Sequence, residues 1–178
     1  VAIVGLGGVG LAALLGAHAA GARQIVAIDR LDEKLERAYA LGATHAFNAD
    51  DPDLVAQVKA ATNGGVEYAI EAASSVDALE VAYRITRRGG TTVTCSLPHP
   101  DHRFNLQAVN LVAEERTIKG CYLGSAVPAR DIPHYIALYH AGKLPVDKLI
   151  TSRLKLDEIN AGFDRLAAGE AVRQVIVF

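Results

Sequence analysis

The sequence predicts a doubly wound α/β fold, in which helices cover both faces of a parallel sheet of about six strands. Three observations predict it. Short apolar runs alternate with helical segments along the chain, and the connections between them are short and often contain glycine. The apolar runs are also continuous rather than interrupted by polar residues, which is typical of strands buried on both faces of a parallel sheet.

The composition is that of one globular unit. The chain has 178 residues, of which 51% are hydrophobic, and a net charge of −2. That length supports one good core and a small appended piece. The weak charge provides no basic surface, so we expect neither nucleic acid nor an anionic membrane as a partner. Two cysteines do not indicate a disulfide framework.

The first 22 residues, Val1–Ala22, contain no charged side chain. Such a run is compatible with a membrane span or a signal sequence. Against both, it contains six glycines and no basic segment precedes it. A buried strand, turn and helix explain it better, and we expect a cytoplasmic protein without a membrane segment.

The opening elements are a strand at Val1–Val4, a helix at Gly8–Ala20 and a strand at Ile25–Ile28 that ends on Asp29. The helix has Ala, Leu and Gly on every face, which predicts that it is buried. The next helix, Asp32–Leu41, is amphipathic, with apolar residues inward and a Glu–Arg pair four residues apart outward.

The alternation continues to residue 123. Ser74, with Asp77 three residues later, is predicted to cap a helix, and Gly89–Gly90 turns the chain into the next strand. The other predicted elements are a strand at Ala46–Phe47, a helix at Asp53–Thr62, a strand at Val66–Ile70 ending on Glu71, a strand at Thr91–Cys95, a short helix at Leu106–Ala113 and a sixth strand at Thr117–Tyr122.

From Gly124 onward the pattern changes, which divides the chain into residues 1–123 and residues 124–178. The second part opens with a helix that Gly142 ends, and its apolar residues share one face. Those residues are Ile132, Tyr135, Ile136 and Tyr139. The elements that follow are a strand at Leu149–Leu156, a helix at Asp157–Ala168 and a strand at Val172–Phe178.

The segment Gly5–Gly10 carries the spacing G-x-G-x-x-G. Gly5 permits a tight turn after the strand, Gly7 lets a pyrophosphate approach the backbone, and Gly10 lets the helix pack against the sheet. The helix N-terminus then offers free N–H groups and the positive end of its dipole to phosphates. Because the motif follows a strand and opens a helix, it predicts a dinucleotide-binding Rossmann unit.

Asp29 ends the second strand, 19 residues after Gly10. A carboxylate there accepts hydrogen bonds from the adenosine ribose and repels a 2′-phosphate, which favours NAD over NADP. Arg30 weakens this preference, because a guanidinium pairs well with a 2′-phosphate. The alternative role for Asp29 is a helix N-terminal charge beside Asp32 and Glu33, and we favour the ribose.

Cys95, His99 and His102 have the spacing Cys-x3-His-x2-His, but no fourth ligand is apparent. We therefore expect no metal site in this chain, and we place the loop at the carboxyl end of the sheet, where cofactors bind. Arg173 is either a phosphate partner or a solvated surface charge.

Several segments together carry a family resemblance: Gly5–Gly10, Asp29 with Lys34, Leu41–Thr44, Asn63–Val66, Ile159–Asp164 and Gly169–Arg173. They resemble the zinc-type medium-chain alcohol dehydrogenases. The resemblance covers essentially the whole chain, but only the cofactor half of that family's protein and the closing part of its catalytic domain. It implies a Rossmann domain at residues 1–123 and a C-terminal segment of the catalytic domain at residues 124–178.

The resemblance implies hydride transfer between an alcohol or aldehyde and NAD, with zinc polarising the alcohol oxygen. The implied contacts are the pyrophosphate at Gly5, Gly7, Gly8, Gly10 and Arg173, the nicotinamide against Val9, the adenosine ribose at Asp29 and Lys34, and the carboxamide at the backbone of Cys95, Leu97 and Leu123. Some members have Arg near position 75 against the adenine, where this chain has Ser75.

The family's zinc ligands and proton relay lie in an N-terminal domain that has no counterpart in this sequence. The resemblance therefore implies no catalytic and no metal-binding residues here, with zinc only in that other domain. The chain lacks Met and begins on its first strand, so we expect a fragment that is inactive by itself. The resemblance also implies a homodimer or tetramer that pairs Thr117–Tyr122 edge to edge.

Three alternatives stay open. The first is a stand-alone NAD-binding module without catalysis. The second is a zinc-free quinone reductase of the wider family, which usually takes NADPH and which Asp29 disfavours. The third is a methyltransferase, which shares the glycine turn and the acid after the second strand. Gly10 and the family-like tail to Arg173 argue against the third.

Overall fold

A computed structural model describes the whole chain, Val1–Phe178, and its centre is one parallel sheet of six strands. The strands are β1 (Ala2–Val4), β2 (Val26–Asp29), β3 (His45–Asn48), β4 (Val66–Glu71), β5 (Thr86–Thr94) and β6 (Thr117–Gly120). Their order in space is β3-β2-β1-β4-β5-β6, and every neighbouring pair is parallel. This is the doubly wound order whose direction reverses between β1 and β4, so the predicted fold class is confirmed.

Helices connect the strands and cover both faces of the sheet. They are α1 (Gly8–Ala19), α2 (Asp32–Ala40), α3 (Leu54–Ala61), α4 (Val76–Ile85) and α5 (Ala108–Ala113). The register places Val4 beside Ile28 of β2 on one side and beside Glu71 of β4 on the other. The carboxyl ends of these three strands therefore meet at one edge of the sheet.

The core consists of two hydrophobic clusters on opposite faces of the sheet. Ile3 belongs to a cluster of 13 buried residues that includes side chains of α1 and α2. Its neighbours Ala2 and Val4 belong to a second cluster of 10 buried residues, which includes side chains of α3 and α4. Successive residues of β1 thus face opposite layers, as the pleat of a strand requires.

The C-terminal part contains α6 (Pro128–His140), β7 (Ile150–Leu154), α7 (Ile159–Ala167) and β8 (Arg173–Ile176). The strands β7 and β8 form a separate parallel pair. Leu144, Leu149 and Val172 of this part belong to the same cluster as α1. The tail is therefore packed under the first helix as well as paired with itself. No helix has the length and apolar character that a membrane crossing requires.

Several predicted details are wrong. Ser74 does not cap α4, because the residue before the helix is Ser75, whose side chain makes no cap hydrogen bond. The fifth strand begins at Thr86 rather than Thr91, and its pairing with β4 shifts register around Gly89–Gly90. The sixth strand ends at Gly120 rather than Tyr122, and a 3₁₀ turn follows at Leu123–Ser125.

The apolar face of the C-terminal helix is present in α6 but is not buried. Its large side chains are between 40% and 52% exposed, namely those of Ile132, Tyr135, Ile136 and Tyr139. The predicted strand at residues 149–156 is also shorter, because a 3₁₀ turn lies at each end of β7.

Candidate functional site: a cleft at the carboxyl ends of β1, β2 and β4

A cleft of about 660 Å³ opens where the strand order reverses. Open α/β sheets bind their ligands at this place, outside the carboxyl ends of the strands. Its lining comes from the turns after β1, β2, β3 and β4 and from the start of α4. The polar and glycine residues that line it are Gly5, Gly7, Asp29, Arg30, Lys34, Asp50, Ser75 and Asp77.

The glycine turn between β1 and α1 is too tight for side chains at two positions. Gly5 has φ +90°, and a Cβ there would lie 2.8 Å from Ala73. At Gly10 a Cβ would lie only 1.8 Å from the Gly5 carbonyl oxygen. The turn and the helix therefore touch backbone to backbone, as the motif predicts.

Gly7 differs from these two glycines, because no atom lies within 4 Å of the place where its Cβ would be. Its backbone lies in the extended region at φ −77°, which any residue adopts. Nothing within the fold requires glycine at this position. Since Gly7 lines the cleft, a missing side chain leaves that space open to a ligand.

The first turn of α1 suits an anion. No side chain caps the helix, and its first turn contains no acidic residue. The free N–H groups therefore have no side-chain acceptor, and no acidic residue of the first turn offsets the positive end of the helix dipole. Arg173 of β8 adds a full positive charge, with its Nη2 atom 3.5 Å from the Cβ position of Gly8. Sequence position alone does not reveal this proximity, which depends on how the tail folds back.

Asp29 is held by backbone donors. Its Oδ2 accepts a hydrogen bond from the Leu6 N–H at 2.7 Å, and its Oδ1 accepts from the N–H groups of Arg30 at 2.9 Å and Leu31 at 3.2 Å. Lys34 Nζ lies 3.8 Å from Oδ2. A carboxylate has about four acceptor positions, so these three bonds leave one on Oδ2 for a ligand hydroxyl.

Arg30 forms an ion pair that was not predicted from the sequence. Its Nε donates to both carboxylate oxygens of Asp50, at 2.9 and 3.1 Å. Asp50 follows β3 and lines the same cleft. The guanidinium that weakened the preference for NAD is thus already paired, and the pair brings a second carboxylate to this corner of the cleft.

The other predicted contacts lie outside this cleft. Val9 is 59% exposed, and Leu97 and Leu123 are 77% and 84% exposed. Cys95 is half-buried directly after β5. Burial raises the pKa of its thiol above the usual value, and the nearby carboxylate of Glu71 and the thiol of Cys121 raise it further. These contacts stay predictions.

The three side chains Cys95, His99 and His102 do not form a metal site here. The chain contains no group of three or more His, Cys, Asp or Glu side chains arranged to hold a metal ion. The rings of His99 and His102 pack against each other at 5.5 Å, and His99 Nδ1 lies 3.6 Å from Asp101. The two histidines therefore contact each other and Asp101 within the loop.

The sequence is similar to one protein family and to individual dehydrogenases. The sequence profile of the zinc-binding dehydrogenases matches residues 8–141. Alcohol dehydrogenase 1 of Oryza sativa subsp. indica is 40% identical over 99% of this chain and 47% of its own length. Geraniol dehydrogenase of Castellaniella defragrans is 38% identical over 100% of this chain and 48% of its own length.

Among solved structures, benzyl alcohol dehydrogenase from Acinetobacter calcoaceticus superposes with a TM-score of 0.94 at 34% identity, covering 98% of this chain and 48% of that chain. The chain spans about half the length of the relatives that it matches. The family profile matches most of the sequence, and the fold is shared with alcohol dehydrogenases. The chain belongs to the zinc-binding dehydrogenase family.

Proposed function

We propose that the chain binds NAD in the cleft at the carboxyl ends of β1, β2 and β4. We also propose that the protein containing it transfers a hydride between an alcohol or aldehyde and that NAD. One observation carries the binding proposal: the glycine turn leaves open space at Gly7 in front of the uncapped α1 N-terminus, with Asp29 beside it. This geometry fits a pyrophosphate next to a ribose.

The charges in the cleft support NAD rather than NADP. Asp29 and Asp50 bring two carboxylates to the ribose corner, and the guanidinium of Arg30 is paired with Asp50. A 2′-phosphate there would have to compete with Asp29 and Asp50 for Lys34 and Arg30, the two cations of this corner. The same observation argues against the NADPH-dependent quinone reductase alternative.

In the full proposal, the remaining contacts follow the family resemblance. Arg173 pairs with the pyrophosphate, Lys34 helps to hold the ribose, and Val9 packs against the nicotinamide. The backbone at Cys95, Leu97 and Leu123 meets the carboxamide. Residues 1–123 form the cofactor domain in this proposal, and residues 124–178 belong to the catalytic domain.

The nicotinamide supplies hydride acceptance, and this chain's own residues bind and orient it. No residue cluster here fits a zinc ion, so we derive no step through zinc from this chain. We propose that zinc, where the protein uses it, is held outside these residues. The chain by itself is then expected to bind NAD without turnover.

The binding proposal is tested by thermal unfolding and calorimetry with NAD and NADP. A ligand at about 100 times its Kd stabilises a protein by about 2.7 kcal/mol, which for this chain length raises Tm by about 5 to 11 °C. We expect NAD to produce this rise and NADP a smaller one. Asp29→Asn should narrow the difference between the Tm rise with NAD and the Tm rise with NADP. A larger rise with NADP would contradict the charge argument.

Gly7→Ala tests where the pyrophosphate lies. Because nothing contacts the Cβ position, the only expected cost is the small one of replacing glycine by alanine at a helix N-cap, so Tm should fall by no more than a few degrees. The new methyl group would occupy the space in front of α1, so NAD binding should weaken at least about tenfold. Wild-type NAD affinity in Gly7→Ala would mean that the pyrophosphate does not lie there.

We further propose that the edge of β6 pairs two copies of the chain, through the segment Thr117–Tyr122. The strand is outermost in the sheet, and its residues are mostly exposed. An unpaired strand edge favours such pairing. Sedimentation equilibrium tests this: a dimer that Lys119→Pro dissociates would support it, and a wild-type monomer at all concentrations would contradict it.

A further inference from the structure

Glu71 is the one acidic side chain among the fully buried residues. It is 1% exposed, at the end of β4. Register places it between Val4 of β1 and Thr94 of β5. It therefore lies under the point where the strand order reverses, although it is absent from the cleft lining. A charged group in this position is expensive to bury unless it has a specific set of partners.

The partners of Glu71 are all hydrogen-bond donors without charge. Its Oε1 accepts the Ala73 N–H at 2.6 Å. Its Oε2 accepts the hydroxyl of Thr94 at 2.6 Å and that of Ser96 at 2.5 Å. None of the seven ion pairs in the chain includes Glu71. Three uncharged donors therefore satisfy the carboxyl group, and no cationic side chain pairs with it.

These bonds join two segments of the site. Ala73 follows β4 and limits the space at Gly5, where a Cβ would lie 2.8 Å away. Thr94 and Ser96 flank Cys95 at the end of β5. With the pyrophosphate at the glycine turn and the adenosine toward β2, the other half of a dinucleotide extends toward β4 and β5. Glu71 thus joins the loop beside the glycine turn to the end of β5.

We propose that Glu71 is a positioning residue for the nicotinamide half of the cofactor and that its buried charge favours the oxidised form. This inference rests on the proposed NAD site. The nicotinamide ring is cationic when oxidised and neutral when reduced. An unpaired carboxylate near the ring attracts only the oxidised form, and a medium of low polarity strengthens that attraction.

The test is calorimetric titration of the wild-type chain and Glu71→Gln with three ligands. ADP-ribose has the adenosine and pyrophosphate but no nicotinamide, while NAD+ and NADH differ in ring charge. We expect Glu71→Gln to weaken NAD+ about tenfold and NADH less. ADP-ribose should bind within about twofold of wild type, because Glu71 does not face the adenosine half.

Two further variants separate positioning from general stability. Ser96→Ala removes one bond and keeps the charge, so it should weaken NAD+ and NADH by the same factor. Thr92→Val is the control, because it removes a buried bond of 2.8 Å to Thr86 within β5. It should lower Tm and leave the ratio of NAD+ to ADP-ribose affinity unchanged.

The outcomes are distinguishable. Equal weakening of NAD+ and ADP-ribose in Glu71→Gln would mean a purely structural role and would overturn the inference, as would no change at all. If Glu71→Gln does not fold, an unchanged NAD+ affinity in Ser96→Ala overturns it. A wild-type chain that binds none of the three ligands refutes the proposed NAD site, and this inference with it.

Discussion

Gly10→Ala is the most direct test of the backbone contact at the glycine turn. The added Cβ would lie 1.8 Å from the Gly5 carbonyl oxygen, 2.9 Å from its carbon and 3.4 Å from Ile3 Cγ2. An ordinary contact begins at 3.4 Å, so the oxygen and the methyl group must separate by roughly 1.6 Å. Neither atom belongs to a flexible side chain, so α1 must move relative to the turn.

The size of the stability loss depends on the buried side chains that α1 would displace as it moves. Leu11, Leu14 and Leu15 on α1 are at most 1% exposed and pack in the larger cluster. Overpacking a core usually costs about 1 to 3 kcal/mol, and the gaps that open under the leucines add to it. Alanine returns up to about 1 kcal/mol of helix propensity. We expect a net loss of about 1 to 3 kcal/mol, or about 2 to 12 °C in Tm.

Gly16→Ala in the same helix is the control. No atom lies within 4 Å of its Cβ position, and the residue is exposed. Helix propensity alone then predicts a gain of up to about 1 kcal/mol. Urea denaturation of both variants measures the difference. Equal midpoints, or a Gly10→Ala chain more stable than wild type, would refute the contact that the structure shows.

Three other predictions concern single side chains. Asp50→Asn should release Arg30 and strengthen NADP binding about two- to fivefold, which is the size of an exposed ion pair. Asp51 does not pair with Arg30, so Asp51→Asn should leave the NADP affinity unchanged in titrations. Arg173→Gln should weaken NAD about five- to tenfold and reduce the salt dependence of binding; an unchanged salt slope would contradict a pyrophosphate contact. Because burial raises the pKa of Cys95, its alkylation by iodoacetamide should reach its half-maximal rate at a higher pH than that of free cysteine measured in parallel.

The sequence predicted the fold because each local signal there has a physical cause that acts over few residues. The strand, glycine turn, helix and Asp29 follow each other within 29 residues, and the structure places them as the motif requires. Boundaries were less accurate where tertiary contacts decide them. The start of β5 at Thr86, for example, depends on pairing with Val66 of β4, which no local pattern in β5 reveals.

Two acidic residues at or beneath the cleft, Glu71 and Asp50, were not among the predicted site residues. Glu71 was visible only as the last residue of a strand, and its burial depends on Thr94 and Ser96, which lie more than 20 residues away. Asp50 is one of several acids that follow β3, and its ion pair with Arg30 depends on the pairing of β3 with β2. A carboxylate that ends an apolar strand is the one signal that could have indicated Glu71.

Asp29 and Glu71 place two carboxyl groups close to the glycine turn that we propose to bind a pyrophosphate. Each ends a strand beside β1, and each accepts a backbone N–H close to the glycine turn, from Leu6 and Ala73 respectively. The Leu6 bond joins Asp29 to the glycine turn, and the Ala73 bond joins Glu71 to the loop that contacts Gly5. The two acids break the rule that buried strand ends are apolar, and such exceptions concentrate at functional sites. Their position on opposite sides of β1 also predicts different effects: loss of Asp29 should change the choice between NAD and NADP, and loss of Glu71 the choice between NAD+ and NADH.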